Sequence, residues 1–183
     1  MKIKKVVDLC KRSGRISLFI DNDGTQWISD GAAAYPLIDA PIFDKDSLCA
    51  TFDITEKQQE GILFEFKAEM PDKLCFADNS ENETYAERND ISLYYKNNEF
   101  YIYHSAAGAL YMKAKYLNPL DVEWLEVYLR YMSGGQPYFV CKTGFMLQAV
   151  IMPYQIEKTD EEFFKQLNIL YEQTVRKKDG KED

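Results

Sequence analysis

The 183-residue chain has few of the residues from which metal and acid–base sites are usually built. Its single histidine is His104, and its four cysteines, Cys10, Cys49, Cys75 and Cys141, are scattered with no CxxC pair. This spacing gives no zinc signature, so we expect no metal and no cofactor. Cys10 and Cys141 lie among apolar neighbours, which is typical of small buried hydrophobic residues.

Long hydrophobic runs are also missing. No stretch approaches the roughly 18–20 apolar residues that span a bilayer. The basic segment from Met1 to Arg15 lacks the continuous apolar core of a signal peptide. The sequence therefore predicts a cytoplasmic protein with no membrane partner.

The chain does contain enough apolar residues to build a core. Hydrophobic residues make up 46% of it, with 13 tyrosines and 11 phenylalanines. A chain of this length buries roughly 70% of the surface that it exposes when unfolded. We expect an α+β domain over residues 1–155, followed by a C-terminal helix and disordered tail over 156–183.

Charge is distributed unevenly along the chain. The net charge of −8 disfavours nonspecific binding to nucleic acid. Residues 1–15 nevertheless hold six bases against Asp8 alone, whereas residues 53–90 hold eleven acids against four bases. Solvated faces are the simplest interpretation. The functional alternatives are a basic helix that contacts DNA and an acidic surface that mimics nucleic-acid charge.

The first half alternates helical and strand patterns. Apolar residues at helical spacing predict a helix over 2–12, ended by Gly14. The Asp23-Gly24 pair predicts a tight hairpin turn that places Ile20 opposite Trp27. Residues 44–53 look extended, and residues 71–90 predict the longest loop.

The second half supplies two hairpins and two further helices. An Asn97-Asn98 turn would pair Tyr95 with Phe100. Asn118, followed by Pro119, is a good N-cap and predicts a helix that ends near Gly134. The last helix is predicted to begin at Thr159 and to carry an apolar stripe of Phe163, Phe164, Leu167, Leu170 and Tyr171.

Hairpins that alternate with single helices favour an α+β layer fold. We predict antiparallel sheet meanders with helices packed on one face, plus the C-terminal helix. The stripe of that helix needs a partner, and we favour the sheet of its own domain. The alternative is the same helix in another subunit, which would make the protein a homo-oligomer.

Three groups of residues are candidates for chemistry. His104 lies beside Ser105 and across a hairpin from Asp90, but no nucleophile-elbow pattern surrounds the serine, so an ordinary strand-end histidine is favoured. The aspartates Asp21 and Asp23, with Asp30, fit turns better than a calcium loop. The tyrosines between Tyr94 and Tyr111 serve either a core or a base-stacking face, and core packing is favoured because few bases are near.

Two resemblances add to these patterns. Segments 26–37, 49–54 and 144–151 resemble uncharacterised proteins carried by phages and prophages of Gram-positive bacteria, which implies a mobile-element origin and brings no known activity. Residues 149–153 are similar to the strand that closes a bacterial DNA sliding-clamp chain. The helix-plus-meander order is also similar to that of a clamp domain, which implies a clamp-like fold.

A helix that faces DNA in a clamp should be basic, and only the N-terminal helix meets this requirement. The candidate DNA-binding residues are therefore Lys4, Lys5, Lys11 and Arg12. We predict a non-catalytic phage-type protein that acts through protein or DNA contacts, with a clamp-like accessory role in DNA replication as its specific form. The alternatives are an acidic inhibitor that mimics nucleic-acid charge and, third, a small hydrolase that uses His104.

Overall fold

A computed structural model describes residues 1–66, 73–105, 108–121 and 123–179, with side chains through residue 170. The helices are α1 Ile3–Ser13, α2 Lys45–Thr51, α3 Glu56–Gln59 and α4 Glu161–Asp179, and a short 3-10 helix spans Ala114–Leu117. The strands are β1 Arg15–Ile20, β2 Gln26–Ser29, β3 Ala33–Pro36, β4 Leu63–Phe66, β5 Thr84–Tyr85, β6 Arg88–Tyr95, β7 Asn98–Ser105, β8 Gly108–Lys113, β9 Leu125–Tyr131, β10 Pro137–Thr143 and β11 Met146–Ile151. The predicted α+β class is confirmed.

The main sheet has eight strands in the order β4-β1-β2-β3-β11-β10-β9-β5. Two antiparallel meanders, β1-β2-β3 and β9-β10-β11, join where Ala34 pairs with Val150. The sheet is mixed rather than wholly antiparallel, because β4 runs parallel to β1. The chain reaches β4 through α2 and α3, and a crossover of this kind is what a parallel pair requires.

Alternation along the strands gives this sheet two buried faces. Ile16, Leu18 and Ile28 belong to the larger core, which also contains buried residues of α1 and α2. Phe19 and Trp27 point to the opposite face, where Phe76 of the segment after β4 packs on both rings. The segment 73–83 thus covers the second face of the sheet.

A three-stranded sheet, β6-β7-β8, forms the next layer. Tyr103 and Met112 belong to the larger core, whereas Phe100 and Tyr111 cluster with Phe164 of α4. The C-terminal helix therefore docks on its own domain, as expected. The stripe is covered only in part, because Leu170 remains 61% exposed.

The α1 helix and the first two hairpins form where they were predicted, but the hairpin registers differ. Phe19, not Ile20, pairs with Trp27, because an Asp21 carboxylate oxygen accepts hydrogen bonds from the backbone N–H groups of Asp23 and Thr25 and makes a longer loop. In the second hairpin the turn is Lys96-Asn97, both with positive φ, so Tyr95 pairs with Asn98.

The helix predicted from Asn118 is wrong. Residues 125–131 form β9, whose side chains alternate between the two faces of the sheet. All seven residues of this strand pair with β10. Asn118 is the C-cap of the 3-10 helix rather than an N-cap, and Trp124, within the predicted helix, is 71% exposed. Long-range pairing in a central sheet outweighed a local capping signal.

Residues 44–53 were also predicted incorrectly as extended. They form α2, which begins with a reciprocal capping box between Asp44 and Ser47 and buries Leu48. The predicted loop over 71–90 is shorter than expected, because β5 begins at Thr84 and β6 at Arg88. Its first two residues, 71 and 72, lie outside the described residues.

Candidate nucleic-acid interface

The four predicted DNA-binding residues lie on one outer face of α1. With 3.6 residues per turn, positions 4, 5, 11 and 12 fall within one broad stripe that also contains Asp8. Lys4, Lys5 and Arg12 are exposed, and Lys11 is half-buried. The structure therefore brings all four side chains to one positively charged face.

The opposite face of α1 fixes this helix on the main sheet through Val6, Leu9 and Cys10, which are buried. Its N-terminal end is held by the turn after the 3-10 helix. The Lys2 backbone N–H donates to the Pro119 carbonyl at 2.8 Å, and Lys5 Nζ donates to the Asn118 carbonyl at 3.2 Å. Lys5 is thereby oriented toward the space between α1 and the two sheets.

That space is a cavity of about 490 Å³, which we call the tyrosine groove. It is lined by Lys5, Tyr85, Ala86, Arg88, Tyr101, Tyr103, Ala114, Leu117, Asn118, Leu120, Leu125 and Val127. Two strands supply its tyrosines. Tyr85 of β5 is 66% exposed, and its ring meets that of Tyr128 edge-on at a centroid distance of 5.7 Å, whereas β7 carries Tyr101 and the buried Tyr103.

Two cations border these rings. The Arg88 guanidinium lies 3.4 Å from the ring centroid of Tyr101, a cation–π stack that leaves the guanidinium edge available to an anion. Lys5 stands at the wall formed by α1. Burial raises the pKa of Tyr103, which therefore stays neutral. Local charge in the groove is thus positive although the whole chain is acidic.

The dimensions and chemistry of the tyrosine groove suit a flat, anionic ligand. Its volume falls within the roughly 300–1,000 Å³ typical of small-molecule sites. Exposed aromatic faces beside cations are the combination with which proteins hold unpaired bases and their phosphates. The sequence alone did not bring Tyr85 or Arg88 into this site, because their approach to α1 depends on how the two sheets stack.

The predicted catalytic alternative is placed elsewhere. His104 lies on β7, opposite Ala109 of β8, and is exposed. The Ser105 hydroxyl donates to the Gly108 carbonyl at 2.8 Å, which links the adjoining ends of β7 and β8. Asp90 lies in the irregular part of β6, between the pairs made by Arg88 and Ser92.

The aspartates and buried cysteines take the structural roles that were favoured. Asp21 accepts from three groups of its own hairpin, and Asp30 accepts from the backbone of Ala32 and Ala33. Within the described residues, no group of three or more His, Cys, Asp or Glu side chains could hold a metal ion. Cys10 and Cys141 are fully buried, and burial raises the pKa of Cys141 to about 12.

One buried ionic cluster was missed by the sequence analysis. Glu83 accepts from Arg130 Nη2 and from Lys142 Nζ, each at 2.7 Å. Arg130 also donates to the carbonyls of Cys75, Ala77 and Asp78 at 2.7–3.0 Å. These hydrogen bonds and ion pairs hold segment 73–83 against strands β9 and β10. The sequence analysis did not find this cluster because Arg130 falls within the helix predicted from Asn118, which does not form.

Comparison with known proteins identifies no relative: no family model, curated protein or solved structure matches the chain significantly. Across the part of the chain that the structure describes, no helix is both long and apolar enough to cross a membrane.

Proposed function

We propose that this protein is a non-catalytic nucleic-acid-binding protein that holds an unpaired base in the tyrosine groove. The observation that carries the proposal is the position of Lys5, which belongs both to the basic face of α1 and to the wall of the groove. Phosphates of the same strand would contact Lys4, Lys11 and Arg12.

Single-stranded nucleic acid fits this arrangement better than a duplex. A duplex keeps its bases stacked inside, whereas the groove offers the stacked Arg88–Tyr101 pair, and Tyr85 borders it with a largely exposed ring that meets Tyr128 edge-on. The net charge of −8 restricts the contact to this locally positive region. Binding is therefore expected to be weak at high salt.

Fluorescence anisotropy with a labelled twelve-nucleotide single strand tests the proposal. Stacking of one base on an aromatic side chain is worth roughly 1–3 kcal/mol, so Tyr85→Leu should weaken binding by about 5- to 150-fold. The matched control is Tyr94→Leu, because Tyr94 is also exposed and does not line the groove. Equal affinities of the two variants and the native protein would refute a stacking role.

A clamp-like accessory role in DNA replication is a narrower form of this proposal. The two meanders join through β3 and β11 into a single eight-stranded sheet, and we expect a ring around DNA to need several copies of the chain. Light scattering with and without a 30-base-pair duplex measures how many copies of the chain assemble on DNA. A monomer that prefers the single strand would support groove binding and contradict a clamp.

The alternative of nucleic-acid mimicry has less support. Mimicry needs exposed carboxylates in a fixed array, whereas Glu83 is used internally by Arg130 and Lys142. One oxygen of Asp78 likewise accepts the backbone N–H of Leu147 at 2.7 Å. The hydrolase alternative rests on His104 alone and would be supported only by an activity that His104→Ala removes.

A further inference from the structure

One end of the main sheet exposes large apolar side chains. Thr143 and Met146 form the last pair of the β10–β11 hairpin, and the turn between them contains Phe145, which is 83% exposed. Met146 is exposed beside it, and Ile38, just after β3, reaches the same end because β3 is the neighbour of β11. Contiguous exposed apolar groups of this kind mark interaction sites in soluble proteins.

A cavity of about 220 Å³ opens next to these side chains. Ile38 and Met146 line it together with the buried side chains of Trp27, Phe76 and Leu147. This volume is below the roughly 300–1,000 Å³ of drug-sized ligand sites, so the cavity suits a single side chain of a larger partner.

The charge around the cavity indicates which type of partner side chain fits it. Asp21, Asp23 and Asp78 line it, and no lysine or arginine stands among the described residues of its wall. Asp21 accepts from Trp27 Nε1 at 2.8 Å and Asp78 from the Leu147 backbone, so these two carboxylates are held in place. Asp23 is exposed at the opening.

We propose that this end of the sheet docks a protein segment in which a lysine or arginine is flanked by apolar residues. The cationic head group pairs with Asp23 and Asp78, while its aliphatic stem lies along Trp27 and Phe76. Charged side chains with apolar stems pack in this way against mixed surfaces. The apolar neighbours of the cation cover Phe145 and Met146. This surface is independent of the tyrosine groove.

The test uses the full chain labelled with ¹⁵N and two acetylated, amidated tripeptides, Leu-Arg-Leu and the neutral Leu-Gln-Leu. The chain has 2 tryptophans, Trp27 in the cavity and the exposed Trp124, so their indole N–H resonances separate this site from the rest of the surface. We expect Leu-Arg-Leu to shift the Trp27 resonance saturably and Leu-Gln-Leu to bind at least tenfold more weakly.

Three variants sharpen the result. Asp23→Asn removes charge without changing size and should weaken the arginine peptide at least fivefold, whereas Glu60→Gln, an exposed residue outside the cavity, should leave the affinity unchanged. Phe145→Ser should weaken both peptides. Equal binding of the two peptides, no shift of Trp27, or a shift confined to Trp124 would overturn the proposal, as would self-association through Phe145 at the concentrations used.

Discussion

The substitution Glu83→Gln tests what holds segment 73–83 on the sheet. Glu83 stands between two buried cations, Arg130, whose side chain is 1% exposed, and Lys142, whose side chain is 5% exposed. A neutral glutamine would leave both positive charges buried without a counter-charge. Removing one partner from a buried ion pair costs about 3–5 kcal/mol.

This loss is large relative to the total stability of a domain, which is about 5–15 kcal/mol. Urea unfolding followed by circular dichroism should show the free energy of unfolding reduced by about 3–5 kcal/mol. The control is Glu81→Gln, an exposed acid two residues earlier, whose effect should stay within about 0.5 kcal/mol. A loss below about 1 kcal/mol for Glu83→Gln would refute the assigned role of the cluster.

Three further predictions concern the loss of stability at acid pH, the packing of the C-terminal helix and the reactivity of the thiols. Burial raises the pKa of Glu83, but hydrogen bonds from Lys142 and Arg130 outweigh it and hold the pKa below its ordinary value. The stability from this cluster is therefore fully present above the ordinary carboxyl pKa and is lost in an acid titration as pH falls through the lowered pKa of the folded state. Phe164→Ala should cost about 3–5 kcal/mol in urea unfolding because Phe164 is buried, whereas Leu170→Ala should change little. Ellman's reagent should modify half-buried Cys75 long before Cys141, and equal rates would contradict the burial.

The elements predicted best were those whose signals are local. The α1 helix, ended by Gly14 at a φ of 73°, and the positions of the β1–β2 and β6–β7 hairpins depend on periodicity and turn chemistry within a few residues. The docking of Phe164 also followed from the width of one apolar stripe.

The elements predicted wrongly were decided by distant partners. The segment from Leu125 to Tyr131 has apolar spacing compatible with a helix, but β10 on one side and β5 on the other make it a strand. The same limit applies to the site. Sequence patterns identified the basic face of α1, but only the stacking of the two sheets brings Tyr85 and Arg88 next to Lys5.

The salt dependence of single-strand binding tests the central proposal most directly. Each phosphate contact on a single strand contributes a slope of about −0.7 to a plot of log K against log salt, so contacts by the four α1 residues and Arg88 predict a slope of about −3.5. Replacing Lys4, Lys5, Lys11 and Arg12 by alanine should reduce its magnitude by about 2.8. The matched control replaces four exposed lysines outside the groove, Lys57, Lys73, Lys158 and Lys165. An unchanged slope in the α1 variant, or no saturable binding at 50 mM salt, would contradict the proposed function.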